Sequence, residues 1–406
     1  MIALLRRGAL HDPCAEARAT KPPTAISPLS DSSAEGRKRP HVLHVFPSFA
    51  IGGAQVRLAT LVEGLGDRFR HTILSLSGDY EAASLLPPHR DVILAGELPR
   101  ARTLLSRLDL YRRQLTDLAP DLLITCNWGS IEVALANRLV GAPHIHIEDG
   151  FGPDEVDRQL ARRVWTRRLA LARSQVVVPS LTLADIASRI WRLRRRCLHH
   201  IPNAIDPRDE ATTEIESLGL DLPPDMPRIA WVGALRTEKN PLRALRAFEP
   251  IKSGAVLLVI GDGPEREVVE GEADRLGLTK QVRLLGTRTD CRDILMQCDI
   301  LALSSDTEQM PLVVLEAMDA GLPIASTDVG DVRRMVAPEN KLFVTTTADA
   351  EFASALQVLV LDERLRRRIG EANRARVRSV YAPETMIQRY GDLFDSMTRR
   401  LAGRGS

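Results

Sequence analysis

The chain contains no apolar run approaching the roughly 18 residues that a membrane-spanning helix needs. Its opening, MIALLRRGAL, has too short an apolar segment, with its charges on the wrong side, for a secretory signal. The five cysteines (Cys14, Cys126, Cys197, Cys291, Cys298) are odd in number, scattered and never set as a CxxC pair. That pattern excludes a disulfide framework or a cysteine zinc site and fits a reducing, cytoplasmic compartment. No Asp-x-Asp pair or His/Asp cluster offers itself to a divalent metal, so no metal site is expected. No G-x-G-x-x-G follows the first strand, which argues against a dinucleotide-dependent dehydrogenase. Charge of one sign is also lacking: 55 Lys and Arg against 53 Asp and Glu leave a net +2, too little to indicate a nucleic-acid partner.

What remains is a soluble-type composition, 44% hydrophobic and 27% charged, over 406 residues, more than one core usually supports. Residues 1–40, rich in Pro, Ser, Ala and Thr, read as a disordered leader or a misassigned start. From His41, β-rich runs alternate with helical ones: VLHVFPS, HTILSLS, DVILA, DLLIT, HIHIEDG and VVVPS. The alternation restarts at Arg228 with RIAWVGA, AVLLVIGDG, VRLLG, ILALSS, PIASTDV and LFVTT. Strands alternating with helices predict parallel sheets, here in two Rossmann-like domains over residues 41–205 and 206–380, followed by a C-terminal helix within 381–406. The polar stretch Asp206 to Pro227 is the natural linker.

The segment LSSDTEQMPLVVLEAMDAGLPIASTDVG, Leu303 to Gly330, carries the strongest chemical signal. An apolar strand leads into a polar turn and then a helix, the place where open α/β sheets bind ligands. Glu308 falls on the loop and Glu316 in the helix, two fixed acceptors suited to a hydroxyl-rich ligand such as a sugar joined to a ribose. The turn at Gly52-Gly53 reads as strand, glycine turn, helix: either a tight connection or a helix N-terminus offered to an anion. Arg236 and Lys239, on the loop GALRTEKNP, are a solvated surface pair or a clamp for a pyrophosphate.

The Glu308/Glu316 pair resembles the E-x7-E element of retaining glycosyltransferases of family 4. VVVPS, IPNAID, WVGALRTEKNP, VIGDGPE and LLGTRTD look like blocks of that family in family order, and the likeness covers about Val42 to Tyr390. The resemblance implies a GT-B fold, an inter-domain cleft and a C-terminal helix that crosses back onto the first domain. It implies a nucleotide diphosphate sugar as donor, a glycan or lipid-linked acceptor, and no cofactor. Glu308 would meet the donor sugar and Glu316 the ribose. Gln309 and Met310 would give backbone N–H groups to the sugar, where Pro311 has none. Gly52 and Gly53 would lie near the donor phosphates, and Thr287 and Arg288 near the nucleotide. Lys239 matches the family's phosphate-binding Lys. The usual Arg position holds Ala234, so either Arg236 would substitute from two residues later or the phosphates would have one cation fewer. In HIHIEDGFGPDE, Asp149 is the acid expected to orient the acceptor, with Glu148 beside it; His146 faces that site or packs in the sheet. Two rivals share the fold: a sugar-nucleotide epimerase, and a nucleotide-sugar-binding protein without turnover.

From Phe151 to His200, eleven Arg face four acids, with Trp165 and Trp191 among them. This tract is a solvated face with Arg–acid pairs or a contact with an anionic membrane surface. The second reading makes the protein peripheral on the inner membrane face.

Overall fold

The computed structural model describes residues 39–99, 101–151, 155, 159–214, 222–223 and 225–402. Nearly all of the expected leader, and the middle of the expected linker, lie outside them. In the first half, β1 (His41–Phe46), α1 (Gly53–Leu65), β2 (Arg70–Ser75), β3 (Val92–Leu94), α2 (Leu104–Leu118), β4 (Leu122–Cys126), α3 (Ile131–Val140), β5 (His144–Ile147), α4 (Ala161–Ala170), β6 (Gln175–Val178), α5 (Leu181–Arg189) and β7 (Leu198–His200) follow one another. The strands form a seven-stranded sheet ordered β3-β2-β1-β4-β5-β6-β7, every pair parallel. Central strands buried on both faces read as continuous runs, which is why all six residues of β1 and all five of β4 are buried. β7 is a half-buried edge strand whose sequence, LHH, carries no apolar run; sequence pattern missed it for that reason.

The second half contains β8 (Arg228–Val232), α6 (Pro241–Phe248), β9 (Val256–Ile260), α7 (Arg266–Arg275), β10 (Val282–Gly286), α8 (Cys291–Leu295), β11 (Ile300–Leu303), α9 (Leu312–Asp319), β12 (Ile324–Thr327), α10 (Val332–Met335), β13 (Val344–Thr345), α11 (Asp349–Leu361), α12 (Glu363–Val380) and α13 (Pro383–Ala402). Its six parallel strands run β10-β9-β8-β11-β12-β13. Apolar clusters fill both faces of this sheet. Helix α13 leaves this half: Met386, Tyr390, Leu393, Phe394 and Met397 join the first-half core with Val42, Phe46, Leu58 and Leu61. Gly64 permits the close approach of α1 to α13, since a Cβ there would strike Ile387.

Each sheet reverses its strand order once, between β1 and β4 and between β8 and β11. The loops at the carboxyl ends of those strands border a crevice, the usual ligand position in such sheets.

Candidate active site

In the second half, the loops after β8 and β11 are stitched together. The Ser304 hydroxyl donates to the carbonyls of Lys239 (3.1 Å) and Asn240 (2.8 Å), and it accepts from the Trp231 indole N–H (2.8 Å). Asn240 caps α6 by accepting from the Arg243 N–H, with Pro241 in the first turn. Buried Arg243 donates to Ser304 O (2.8 Å), Asp306 (2.6 Å) and Asp349 (2.8 Å), fixing the start of the acidic loop. On this frame Lys239 Nζ lies 2.6 Å from Glu308 Oε1, which also accepts from the Ser305 hydroxyl at 2.9 Å. The two residues singled out in separate motifs therefore meet. Arg236 does not join them: its side chain is exposed and has no partner among the described residues.

Glu316 lies in the second turn of α9, and no hydrogen bond to its carboxylate forms among the described residues. Burial pushes its pKa up, opposed by the Arg292 and Arg208 charges. Glu316 is half-buried, and an acceptor without a protein partner is one that a ligand diol would complete. Thr287 is exposed just beyond β10, the edge strand, and Arg288 is held by Asp290 through two bonds of 2.8 and 2.6 Å.

In the first half, Gly52 is the N-cap of α1 and supplies no side-chain cap. Gly53 approaches α9: a Cβ there would stand 3.2 Å from Leu312 Cδ1. The acids after β5 divide. Asp149 is bound by the Arg57 guanidinium through both oxygens, and its N–H donates to Asn127 Oδ1. Glu148, expected at the substrate, has 0% of its surface exposed. It lies beside Arg167 Nε (3.4 Å) and His146 Nε2 (3.5 Å), so it is a buried ion-pair group and not a substrate contact in this conformation. His146 likewise packs in the sheet, bonded to Thr125 Oγ1 at 2.7 Å.

Groups that sequence reasoning had not singled out join the halves. The Ser180 hydroxyl donates to Gln309 Oε1 (3.0 Å), and Asn203 Nδ2 donates to Met310 O (2.9 Å). Asp331 accepts from the N–H groups of Leu181 (2.6 Å) and Thr182 (3.1 Å) and from the Thr182 hydroxyl (2.7 Å). A carboxylate of the second half thus caps helix α5 of the first. Gly330, at φ +56°, makes room for this: a Cβ would lie 2.6 Å from Glu308 O. At this seam Phe151, Gln159, Ile186, Ile190, Glu308 and Gln309 help to line a cavity of about 300 Å³. A larger cavity, about 740 Å³, sits beside His144 and Arg138 at the amino ends of the first-half strands, remote from these groups.

The basic tract is not one surface. Arg167 is fully buried, within 4.9 Å of the Trp128 and Trp191 rings and paired with Glu155 at 3.0 Å. Trp191 is core. Arg162, Arg173, Arg192, Arg194, Arg195 and Arg196 are exposed, as is Trp165 at 67%. Arg158 lies outside the described residues.

The family model for Glycosyltransferase Family 4 matches residues 51–209, and that for Glycosyl transferases group 1 matches residues 214–376. Among curated relatives, the lipopolysaccharide core biosynthesis glycosyltransferase LpsD of Rhizobium meliloti is 30% identical over 213 residues, covering 52% of this chain and 61% of that one. The 2-deoxystreptamine N-acetyl-D-glucosaminyltransferase of Streptomyces fradiae is 28% identical over 230 residues, 52% of this chain and 54% of that one. The chain thus spans little more than half the length of the curated relatives it matches. Among solved structures, Anabaena HepE in complex with UDP and glucose aligns over 88% of this chain and 100% of its own, with TM-score 0.76 and 18% identity. WaaG, a glycosyltransferase involved in lipopolysaccharide biosynthesis, aligns over 87% and 99%, with TM-score 0.68 and 16% identity. With two parallel-sheet halves, matches to both family models and the shared architecture, the chain belongs to the family 4 glycosyltransferases of the GT-B fold.

Proposed function

We propose that this protein transfers a hexose from a nucleotide diphosphate sugar to a glycan or lipid-linked acceptor with retention of configuration. The observation that carries the reading is the Lys239–Glu308 contact at the carboxyl ends of the switch-point strands, with Glu316, half-buried and without a hydrogen-bond partner among the described residues, in the adjoining helix. Lys239 would neutralise the phosphate as the sugar–phosphate bond breaks, the stage at which a preorganised cation contributes most. Glu308 would hold the donor sugar, and Glu316 the ribose. The acceptor hydroxyl attacks from the face the phosphate leaves, and its proton passes to the departing phosphate oxygen. That geometry requires no base on the opposite face. Asp149, neutralised by Arg57, orients the acceptor instead of deprotonating it. The names of the relatives, which include lipopolysaccharide core enzymes, support a polysaccharide acceptor. The test is acceptor-dependent release of nucleoside diphosphate from a panel of UDP- and GDP-sugars, with the product anomer read by NMR. Release with inverted product overturns the retaining assignment, and an epimerised nucleotide sugar without acceptor overturns the transferase.

We further propose that the protein is cytoplasmic and sits peripherally on an anionic membrane face. The exposed arginines between Arg162 and Arg196, and the exposed Trp165 under the Arg168 guanidinium, support this. Each basic residue near such a leaflet contributes about 1 kcal/mol, screened by salt. Co-sedimentation should require anionic lipid, and Arg194→Glu, Arg195→Glu and Arg196→Glu together should release the protein. Equal sedimentation on neutral vesicles, or none on either, would contradict the proposal.

A further inference from the structure

Arg57 is the one residue on α1 that puts a charge into the buried stripe otherwise made by Leu58, Leu61, Val62 and Leu65. It is 5% exposed, and its partners come from distant segments. Its fork grips Asp149 through both oxygens, with Nη2 2.8 Å from Oδ2, and Nη1 donates to Asn203 Oδ1 at 3.0 Å. Asn203 in turn faces the second half. Its Nδ2 donates to Met310 O at 2.9 Å, and its backbone N–H lies 3.2 Å from Met310 Sδ. Met310 is two residues from Glu308. One chain of contacts therefore runs from the acid after β5, through Arg57 and Asn203, into the loop that carries Glu308. Burial alone would lower the Arg57 pKa; the Asp149 charge more than offsets it, and the guanidinium stays charged.

We infer that Arg57 is a positioning residue: it sets the Asp149 carboxylate and the Glu308–Met310 loop in register across the cleft, without itself touching either substrate. The inference rests on the proposed transfer reaction. Three fixed donor directions are used at once, two on a carboxylate and one on an amide. A planar guanidinium supplies them and an ammonium does not. Displacing one half of the site against the other by about 1 Å is enough to cost about 10²-fold in rate.

The experiment compares Arg57→Met, Arg57→Lys, Asn203→Ala and the Arg57→Met/Asn203→Ala pair in the full-length protein. Two readouts are needed: steady-state transfer kinetics, and backbone hydrogen exchange over residues 305–311. Arg57→Met is expected to lower kcat by about 10²-fold with donor KM within about twofold, and to raise exchange at residues 308–310 in the opposite half. Asn203→Ala should raise the same exchange, and the pair should do little more than either alone, because both break one chain. Arg57→Lys should restore part of kcat. Additive effects in the pair, or exchange that rises only around Asp149 with 308–310 unchanged, would overturn the inference. If Arg57→Met does not fold, Asn203→Ala, which leaves the Arg57–Asp149 pair intact, carries the test. If the parent protein transfers no sugar, the proposed reaction fails while the exchange readout still decides whether Arg57 couples the halves.

Discussion

Lys239 and Glu308 neutralise one another at 2.6 Å, so a bound pyrophosphate would compete with the carboxylate for the ammonium. Removing the ammonium in Lys239→Ala should lower turnover by about 10²-fold or more, as for one preorganised electrostatic group. Arg236→Ala should do less, since that side chain is exposed and makes no hydrogen bond or ion pair with Lys239 or Glu308; a larger effect at Arg236 in steady-state kinetics would reverse the ranking. Glu316→Ala should weaken donor binding by about 1.5–3 kcal/mol, while Glu308→Ala mainly lowers kcat. Both variants remaining within twofold of the parent would refute the two roles. The meeting of Lys239 and Glu308 is legible because each lies on a short strand-end motif whose chemistry follows from residue type. Glu148 was not: the pattern HIHIED cannot tell that Arg167 and His146 close over that carboxylate. Arg57 and Asp331 are not legible because their partners lie far along the chain, 92 and 146 positions from Arg57 and 150 and 149 from Asp331, leaving only an Arg in an apolar stripe as a local sign.

Among the elements, the first sheet carries an unusual load of buried histidine. Burial lowers the pKa of His44, of His71 to about 4, and of His144 to about 3. The fold accepts the neutral rings, while the unfolded chain protonates near the ordinary imidazole value of 6.5. Below about pH 6.5 the unfolded state therefore binds more protons, and stability falls with decreasing pH until the folded-state values are reached. Denaturant unfolding should show this loss already between pH 6.5 and 5, above the range where ordinary carboxylates titrate. A flat profile across that window would contradict the buried neutral assignment. Helix α5 supplies a second prediction: Asp331→Ala removes its inter-domain cap and should cost about 1–2 kcal/mol in unfolding free energy. No change would mean that water replaces the carboxylate without loss. The expected strands could be read because buried parallel strands are apolar throughout; β7 could not, since an edge strand of three half-buried residues leaves no such run.

At the scale of the whole molecule, the two halves meet through few but directional contacts: Ser180 to Gln309, Asn203 to Met310, and Asp331 to α5. Helix α13 adds apolar packing from the chain's end onto the first core. Periodicity does show the two α/β halves, but not their mutual placement, because inter-domain hydrogen bonds use single polar residues without a repeat. On the proposed reading, the crevice between these halves holds a nucleotide diphosphate sugar against Lys239, Glu308 and Glu316. A ligand that binds only the native state at 100 times its dissociation constant adds about 2.7 kcal/mol of stability. The most direct measurement is thermal unfolding of the parent and of Glu316→Ala across UDP- and GDP-linked sugars. One donor class should raise the parent's Tm by a few degrees, with a clearly smaller rise for Glu316→Ala at the same concentration. No rise with any nucleotide sugar, or equal rises in both proteins, would contradict it.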